Sequence, residues 1–159
     1  MLIDARCRLA GTTCAAVVLV HGKDDCRSDV LRASGDTLVE AFVGAGIAVL
    51  MIDLRGHGAS GNGRSTYGHQ ERQDVLGAVD WLRAQGDSQI GLPGALLGAA
   101  SSLFAAADDP LIGAVVAGRP FADFGEMIDR QYSKLSHLPA FLLPGALAVA
   151  FMSGHLQAA

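Results

Sequence analysis

The segment with the clearest chemical pattern is Gly94-Ala95-Leu96-Leu97-Gly98, which has the glycine spacing of a nucleophile elbow but no nucleophile. In such an elbow, Gly-x-Ser-x-Gly joins a strand to a helix through a turn so tight that glycine is needed on both sides. The central position here is Leu96, whose side chain offers neither a proton to abstract nor an electron pair to attack with. The pattern therefore predicts an elbow at Gly94 and Gly98 whose nucleophile position is not catalytically competent.

Three other side chains near this turn are weaker candidates for chemistry. Ser101 and Ser102 follow the elbow by about one helical turn, where we expect them to pack within a helix. Cys26 is an alternative nucleophile, because a cation such as Lys23 close to it would favour the reactive thiolate form. The sequence places no histidine beside Cys26, so this interpretation is the less favoured one.

Composition and charge argue against several classes of function. The 159 residues carry a net charge of −4, which provides no basic surface for nucleic acid. Cys7, Cys14 and Cys26 are odd in number and form no CxxC pair, so we expect neither a disulfide framework nor a metal site, and no cofactor. Residues 138–152 are apolar but broken by prolines and shorter than the ~20 residues of a membrane span. Without a signal-peptide pattern, the chain is expected to be cytoplasmic and to have no membrane partner.

Apolar runs alternate with amphipathic stretches along the chain. The predicted strands are residues 15–20, 47–52, 89–92 and 111–117. The predicted helices are residues 34–43, 70–85 and 98–107. Ser34 is the expected N-cap of the first helix, and Gly44 and Gly46 are expected to end it. This order predicts one α/β domain over residues 1–159, with a parallel sheet and helices on both faces.

The side chains of the second helix are expected to divide between core and solvent. The four residues predicted to face the core are Val75, Leu76, Val79 and Leu82. The four predicted to face solvent are Glu71, Arg72, Asp74 and Arg83. Pro93 is unusual, because proline cannot donate to a sheet ladder and is disfavoured in a central strand.

Four ordered motifs resemble those of the α/β-hydrolase superfamily, in particular its esterase and serine aminopeptidase-like members. They are VLVHGK at 18–23, DLRGHGAS at 53–60, the elbow at 94–98 and RPFAD at 119–123. The resemblance covers about residues 15–125. It implies a partial α/β-hydrolase fold in which the four strands lie side by side in the order second, first, third, fourth. It also implies that residues 124–159 begin a cap or lid segment.

The resemblance implies an oxyanion hole beside Leu96. The N–H group of Lys23, which follows Gly22, and the N–H group of Leu97 would be its two donors, facing each other across a crevice. The family's acid and histidine follow far beyond the elbow, after the position at which this sequence ends with Ala159. We therefore expect an incomplete triad.

Four polar residues in these motifs are expected to have structural roles. His21 and His57 are expected to be structural, because each lies in a turn where its ring bonds to nearby backbone. Asp53 and Arg55 are expected to pair with each other or to cap their turn.

Two interpretations of function remain open at this point. The chain is a protein of serine hydrolase ancestry that is inactive or very weak, or it is a non-catalytic module that binds a small acyl or ester ligand or dimerises. We also expect a homo-oligomer, because the fourth predicted strand leaves an open edge beside Leu111, Val115 and Val116. Residues 138–152 are the alternative cover for that edge.

Overall fold

The computed structural model describes residues 2–3, 14–34 and 37–120, and the structural findings below concern these residues. The expected cap segment at 124–159 and the apolar segment at 138–152 lie outside them. The strands are β1 Leu2–Ile3, β2 Cys14–Val20, β3 Ala48–Ile52, β4 Asp87–Ala95 and β5 Ala114–Gly118. The helices are α1 Arg27–Ser34, α2 Thr37–Gly44, α3 Glu71–Ala84 and α4 Leu97–Asp108. In this part of the chain, no helix has the length and apolar character that crossing a membrane requires.

The strands form one sheet in the order β1-β3-β2-β4-β5. Strands β3, β2, β4 and β5 are all parallel to one another. The two-residue β1 pairs with β3 in the antiparallel direction. The predicted order of the four parallel strands is confirmed. Because β2 and β4 are neighbours with their carboxyl ends at one edge, the loops that follow them meet there.

Helices cover both faces of the sheet, as predicted, but they cover different parts of it. The core on the face of α3 and α4 includes residues from β2, β3 and β4, among them Val18, Leu50 and Leu92, with Val115 of β5 packed against it. The core on the face of α1 and α2 consists of residues from β2, β3 and α2, which are Val17, Leu19, Val39, Val49 and Met51. On this second face β4 and β5 contribute no residue to the core described here.

The predicted helix over 34–43 is observed as α2, but its predicted start was wrong and the preceding helix α1 was missed. Ser34 is the last residue of α1, not the N-cap of a helix, and α2 begins at Thr37. The missed start of α1 is a capping arrangement in which the Cys26 N–H donates to Asp29 Oδ2 at 2.9 Å. The predicted end was right, since α2 stops at Gly44 and Gly46 has φ of 77°.

Strand boundaries differ from the predicted ones where glycine and proline weakened the pattern. Strand β4 runs from 87 to 95 rather than from 89 to 92, and β5 begins at Ala114, so Leu111 lies before the strand and is 73% exposed. Pro93 is tolerated in β4 because the ladder between β2 and β4 pairs Val17 with Gly91 and next Val20 with Gly94. The missing N–H of proline therefore costs a bond only towards β2.

Helix α3 matches the predicted helix except for one side chain. Val75, Val79 and Leu82 are fully buried, as expected. Glu71 was expected to face solvent but is 0% exposed. Its carboxylate accepts bonds from Thr66 N–H at 2.7 Å, from Thr66 Oγ1 at 2.8 Å and from Gly68 N–H at 2.8 Å, which replace the water it would otherwise bind.

Candidate functional site

The turn between β4 and α4 holds Leu96 in a backbone conformation that side chains rarely adopt. Leu96 has φ of 51° and ψ of −113°, and such a conformation costs an ordinary residue about 1–3 kcal/mol. Its side chain is 43% exposed, and its N–H donates to Gly118 O at 2.9 Å. The turn therefore has the strained backbone of an elbow, with a partly exposed leucine at the central position.

Close backbone packing explains the two glycines of the elbow. A Cβ on Gly94 would lie 2.6 Å from Gly98 O, and a Cβ on Gly98 would overlap Val20 O at the end of β2. Neither glycine has a positive φ, so what the turn needs is space rather than unusual dihedral angles. Helix α4 can start this close to β2 and β4 only because both side chains are absent.

The loop after β2 meets the elbow across the carboxyl ends of the strands. A Cβ on Gly22 would lie 3.4 Å from Leu96 Cδ1 and 2.8 Å from Asp25 Oδ2. Gly22, Leu96 and the Asp25 carboxylate therefore converge at one place. Sequence reasoning missed Asp25, because nothing in its spacing from the motifs indicates that the loop folds back over Gly22.

His21 connects the loop after β2 to the loop after β3. The Leu54 N–H donates to His21 Nε2 at 3.0 Å, so the proton of the neutral ring is on Nδ1, which donates to Gly22 O at 2.6 Å. Burial lowers the pKa of His21, and this outweighs the opposing effect of the bond to Gly22. Both ring nitrogens are therefore used by the backbone, and His21 provides no free base for the elbow.

Asp53, which follows β3, is bonded to the start of α1 and to the turn at Ala59. Its Oδ1 accepts the Arg27 N–H at 2.7 Å, its Oδ2 accepts the Ala59 N–H at 3.0 Å, and the Arg27 guanidinium lies 3.1 Å away. Burial raises the pKa of Asp53, but the N–H groups of Ala59 and Arg27 and the guanidinium lower it further, so the net shift is downward. Asp53 caps its turn as expected.

The expected ion pair between Asp53 and Arg55 is absent, because each has another partner. Arg55 makes a bidentate contact with Asp74 of α3, through Nε to Oδ2 at 2.9 Å and through its terminal nitrogen to Oδ1 at 2.7 Å. His57 Nδ1 lies 2.9 Å from Arg55 O. These bonds fix the turn after β3 against α3.

The environment of Cys26 differs from the one proposed for a reactive thiol. Its Sγ donates to Asp29 Oδ2 at 3.1 Å, a carboxylate rather than a cation. Lys23 Nζ instead pairs with the Asp24 carboxylate at 2.7 Å. These contacts argue against the less favoured interpretation, in which Lys23 activates Cys26.

The two serines of α4 lie inside the protein. Ser101 and Ser102 are both 0% exposed, and Ser101 Oγ donates to Leu97 O at 2.8 Å. A substrate carbonyl cannot reach either hydroxyl, which agrees with the expectation that they pack within a helix.

Two cavities share Asp25 in their lining. The first, which we call the elbow crevice, has a volume of about 590 Å³ and is lined mainly by apolar residues, among them Leu19, Val30, Leu38, Pro93 and Val116. The second is a polar pocket of about 520 Å³ whose lining includes Lys23, Asp25 and His57. The two residues predicted from the sequence to provide oxyanion donors lie in different surroundings. Lys23 lines the polar pocket, and Leu97 begins α4 with its side chain in the core.

Comparison with known proteins places this arrangement in a family. Residues 11–149 match the family model of the X-Pro dipeptidyl-peptidases of the S15 family. The chain belongs to this family. One relative is an uncharacterized 31.7 kDa protein of the Escherichia coli traX-finO intergenic region. It is 30% identical to this chain over 111 residues, which are 67% of this chain and 37% of that protein.

Solved α/β hydrolases share the fold of this S15-family chain. An esterase of Pyrococcus furiosus superposes with a TM-score of 0.71 at 24% identity over 97% of this chain and 55% of the esterase. Another crystal form of that esterase gives a TM-score of 0.69 at 26% identity over 83% of this chain and 54% of the esterase. A putative α/β hydrolase of Agrobacterium tumefaciens gives 0.60 at 18% identity over 74% of this chain and 56% of that one. The predicted α/β-hydrolase relationship is confirmed, and the chain spans about half the length of these structures.

Proposed function

We propose that this S15-family chain binds a small neutral acyl compound, an ester or an amide, at the elbow without hydrolysing it. The observation that carries the proposal is the leucine at the nucleophile position, held at φ of 51° with its side chain 43% exposed. Attack on a carbonyl requires a hydroxyl, thiol or similar group at this point. Among the described residues, the serines of α4 are buried and Cys26 is bonded to Asp29.

The position of the N–H donors supports binding of a carbonyl oxygen. Leu97 is the first residue of α4, so its N–H has no acceptor within the helix. The positive end of the helix dipole favours an oxygen with partial negative charge at the same place. Lys23 directly follows Gly22, and a Cβ on Gly22 would lie 3.4 Å from Leu96 Cδ1, so the Lys23 N–H belongs to the loop that contacts the elbow. Together these groups would hold a carbonyl without activating a nucleophile against it.

The Asp25 carboxylate supports a neutral ligand rather than an anionic one. A Cβ on Gly22 would lie 2.8 Å from Asp25 Oδ2, so this carboxylate lies close to the loop that would hold the carbonyl. It would repel an ionised carboxylate ligand more strongly than a neutral ester or amide. The elbow crevice, with Leu19, Val30 and Leu38 in its wall, would accept the alkyl part.

The test measures binding and turnover on the same protein. Butyramide added to ¹⁵N-labelled protein is expected to shift the backbone amides of residues 22, 23, 96 and 97, whereas butyrate is not. The Asp25→Asn variant should bind butyrate, and the matched variant Asp24→Asn, which removes a carboxylate paired with Lys23, should not. Neither a fluorophosphonate adduct nor release of p-nitrophenol from p-nitrophenyl butyrate is expected. An adduct or saturable turnover overturns the proposal, and so does the absence of shifts with butyramide.

A slow hydrolase is the second candidate function. The likeness to the Pyrococcus furiosus esterase at 26% identity favours it. It would require a nucleophile that is not at position 96. Mass spectrometry of a fluorophosphonate-labelled peptide would identify that residue, and an unlabelled chain would exclude this route.

A further inference from the structure

Two histidines form a ring pair between the loops that follow β2 and β3. His21 is 1% exposed, whereas His57 is half-buried and lines the polar pocket. Their ring centroids are 5.1 Å apart, with 53° between the ring planes. Helix α4 packs on the backbone of His21 at Gly98, and its only charged residue is Asp108 at the opposite end of the helix. Because histidine gains its charge between roughly pH 5 and 8, a proton on one ring acts directly on the other.

The hydrogen bonds of the two rings respond differently to an added proton. A neutral imidazole takes up a proton at the ring nitrogen that carries no hydrogen. In His57, Nδ1 donates to Arg55 O at 2.9 Å, and no residue that the structure describes bonds to Nε2, so a proton can be added there without breaking a bond. In His21 the acceptor is Nε2, which already receives the Leu54 N–H at 3.0 Å. Protonated His21 would point an N–H at the Leu54 N–H, and this hydrogen bond would be lost.

The bond between His21 and Leu54 holds the loop after β2 against the loop after β3. His21 Nδ1 donates to Gly22 O at 2.6 Å, so the ring ties this part of the backbone to Leu54. The N–H of Lys23, one of the two donors proposed for the ligand, is the next along the same loop. Leu54 is 0% exposed, so its released N–H can reach water only if the loop after β3 moves. Loss of the bond would therefore displace the two loops relative to each other.

The groups that face His21 determine how readily it is protonated. Burial lowers the pKa of His21 most strongly, and the bond to Gly22 O opposes this. A charge on His57 lowers the pKa further, the carboxylates of Asp53 and Asp25 raise it, and the net shift is downward. The other charged residues that line the polar pocket with His57 are Lys23, Asp24, Asp29 and Arg64. His21 therefore stays neutral at a pH where an ordinary histidine is already charged.

We propose that acid switches off the ligand site by protonating His21, which releases the loop of Gly22 and Lys23 from Leu54. The consequence for the ligand rests on the proposed function, since the displaced Lys23 N–H would no longer stand where the carbonyl needs a donor. Only the neutral state of His21 would bind the ligand. The apparent Kd for butyramide should therefore rise about tenfold for each pH unit below the pKa of His21.

Nuclear magnetic resonance of the ligand-free protein tests the switch itself. Long-range ¹H–¹⁵N spectra report the protonation of the His21 ring, and the amide signals of Leu54 and Lys23 report the two loops. We expect His21 to titrate below pH 6.5, both amides to shift in the same transition, and the amide of Val79 in the core to stay unchanged. A His21 that titrates at pH 6.5 or above, amides that do not follow it, or unfolding of the whole chain in that transition overturns the proposal.

Three variants test the charges that act on His21. His57→Gln removes the repelling charge and should raise the pH of the His21 transition, whereas Asp25→Asn removes an attracting carboxylate and should lower it. Asp24→Asn is the matched control, because the Asp24 carboxylate pairs with Lys23 and should not affect the transition. Shifts of the opposite sign, or equal shifts in Asp25→Asn and Asp24→Asn, contradict the proposed role of the ring pair.

Butyramide titrations separate the switch from the proposed function. Binding at neutral pH that weakens along with the His21 transition supports both. Binding that persists unchanged through this transition overturns the switch. If butyramide does not bind at neutral pH but the ligand-free protein shows the coupled shifts of Leu54 and Lys23, the proposed function fails while the release of the loop stands.

Discussion

Replacing Leu96 by glycine should stabilise the protein relative to replacing it by alanine, which is the reverse of the usual order in helical segments. At φ of 51° and ψ of −113°, any residue with a Cβ is strained by about 1–3 kcal/mol, and glycine is not. Glycine loses about 0.5–1 kcal/mol more than alanine in backbone entropy on folding. The difference leaves Leu96→Gly more stable than Leu96→Ala by up to about 2.5 kcal/mol.

Position 103 provides the control for this comparison. Leu103 has the same 43% exposure as Leu96 but lies inside α4 with ordinary helical geometry. Both leucines therefore lose a similar buried area on truncation, and only the backbone differs. At this position alanine should be more stable than glycine by about 0.5–1 kcal/mol.

Urea unfolding followed by far-UV circular dichroism measures all four variants. The expected result is an opposite sign of the glycine-minus-alanine difference at positions 96 and 103, at an unchanged m value. If Leu96→Gly is less stable than Leu96→Ala by as much as at position 103, the turn is not strained and the assignment of an elbow to this sequence fails.

Two further predictions concern the packing around the elbow and the buried carboxylate. Gly98→Ala should destabilise the protein by more than about 2 kcal/mol, because the new Cβ would overlap Val20 O. Gly77→Ala, on the open side of α3, should instead stabilise the protein by about 0.5–1 kcal/mol. Thermal melts of the two variants, run in parallel, check both predictions. Burial raises the pKa of Glu71, but the bonds from Thr66 and other N–H groups lower it further, to below the usual 4.5. The stabilisation it provides is therefore present above that value and is lost as the pH falls through the lower folded-state pKa. Glu71→Gln should cost about 1–3 kcal/mol at neutral pH and less in acid, and urea midpoints that differ from wild type equally at pH ~7 and pH ~3 would contradict it.

The two strands β2 and β3 could be predicted because they are buried on both faces and therefore continuously apolar. The runs in β2 and β3 have no polar interruption, so their limits follow from the sequence. The elbow could be predicted for a different reason. Gly94 and Gly98 are required by backbone contact, and a requirement of that kind is visible in the sequence itself.

Features that depend on the route of a loop could not be predicted from the sequence. The spacing of Glu71 from the core residues of α3 predicts a solvent-facing side chain. The hydrogen-bond donors that allow its burial come from the loop containing Thr66. Asp25 was overlooked for the same reason, since its contact with Gly22 depends on how the chain turns after β2. Asp53 and Arg55 are two residues apart, but each bonds to a different distant segment.

The most direct test of the central claim, that the elbow is retained without its chemistry, is the kcat/KM of Leu96→Ser on p-nitrophenyl butyrate. A serine there would stand at the strained position beside Gly22, but His21 has both ring nitrogens bonded to backbone and cannot take its proton. We predict at most faint activity, of the kind that an oxyanion site alone provides, with Leu103→Ser indistinguishable from wild type. A kcat/KM of about 10⁴ M⁻¹s⁻¹ or more, the range of working enzymes, would show that the chain holds a functional base and would contradict it.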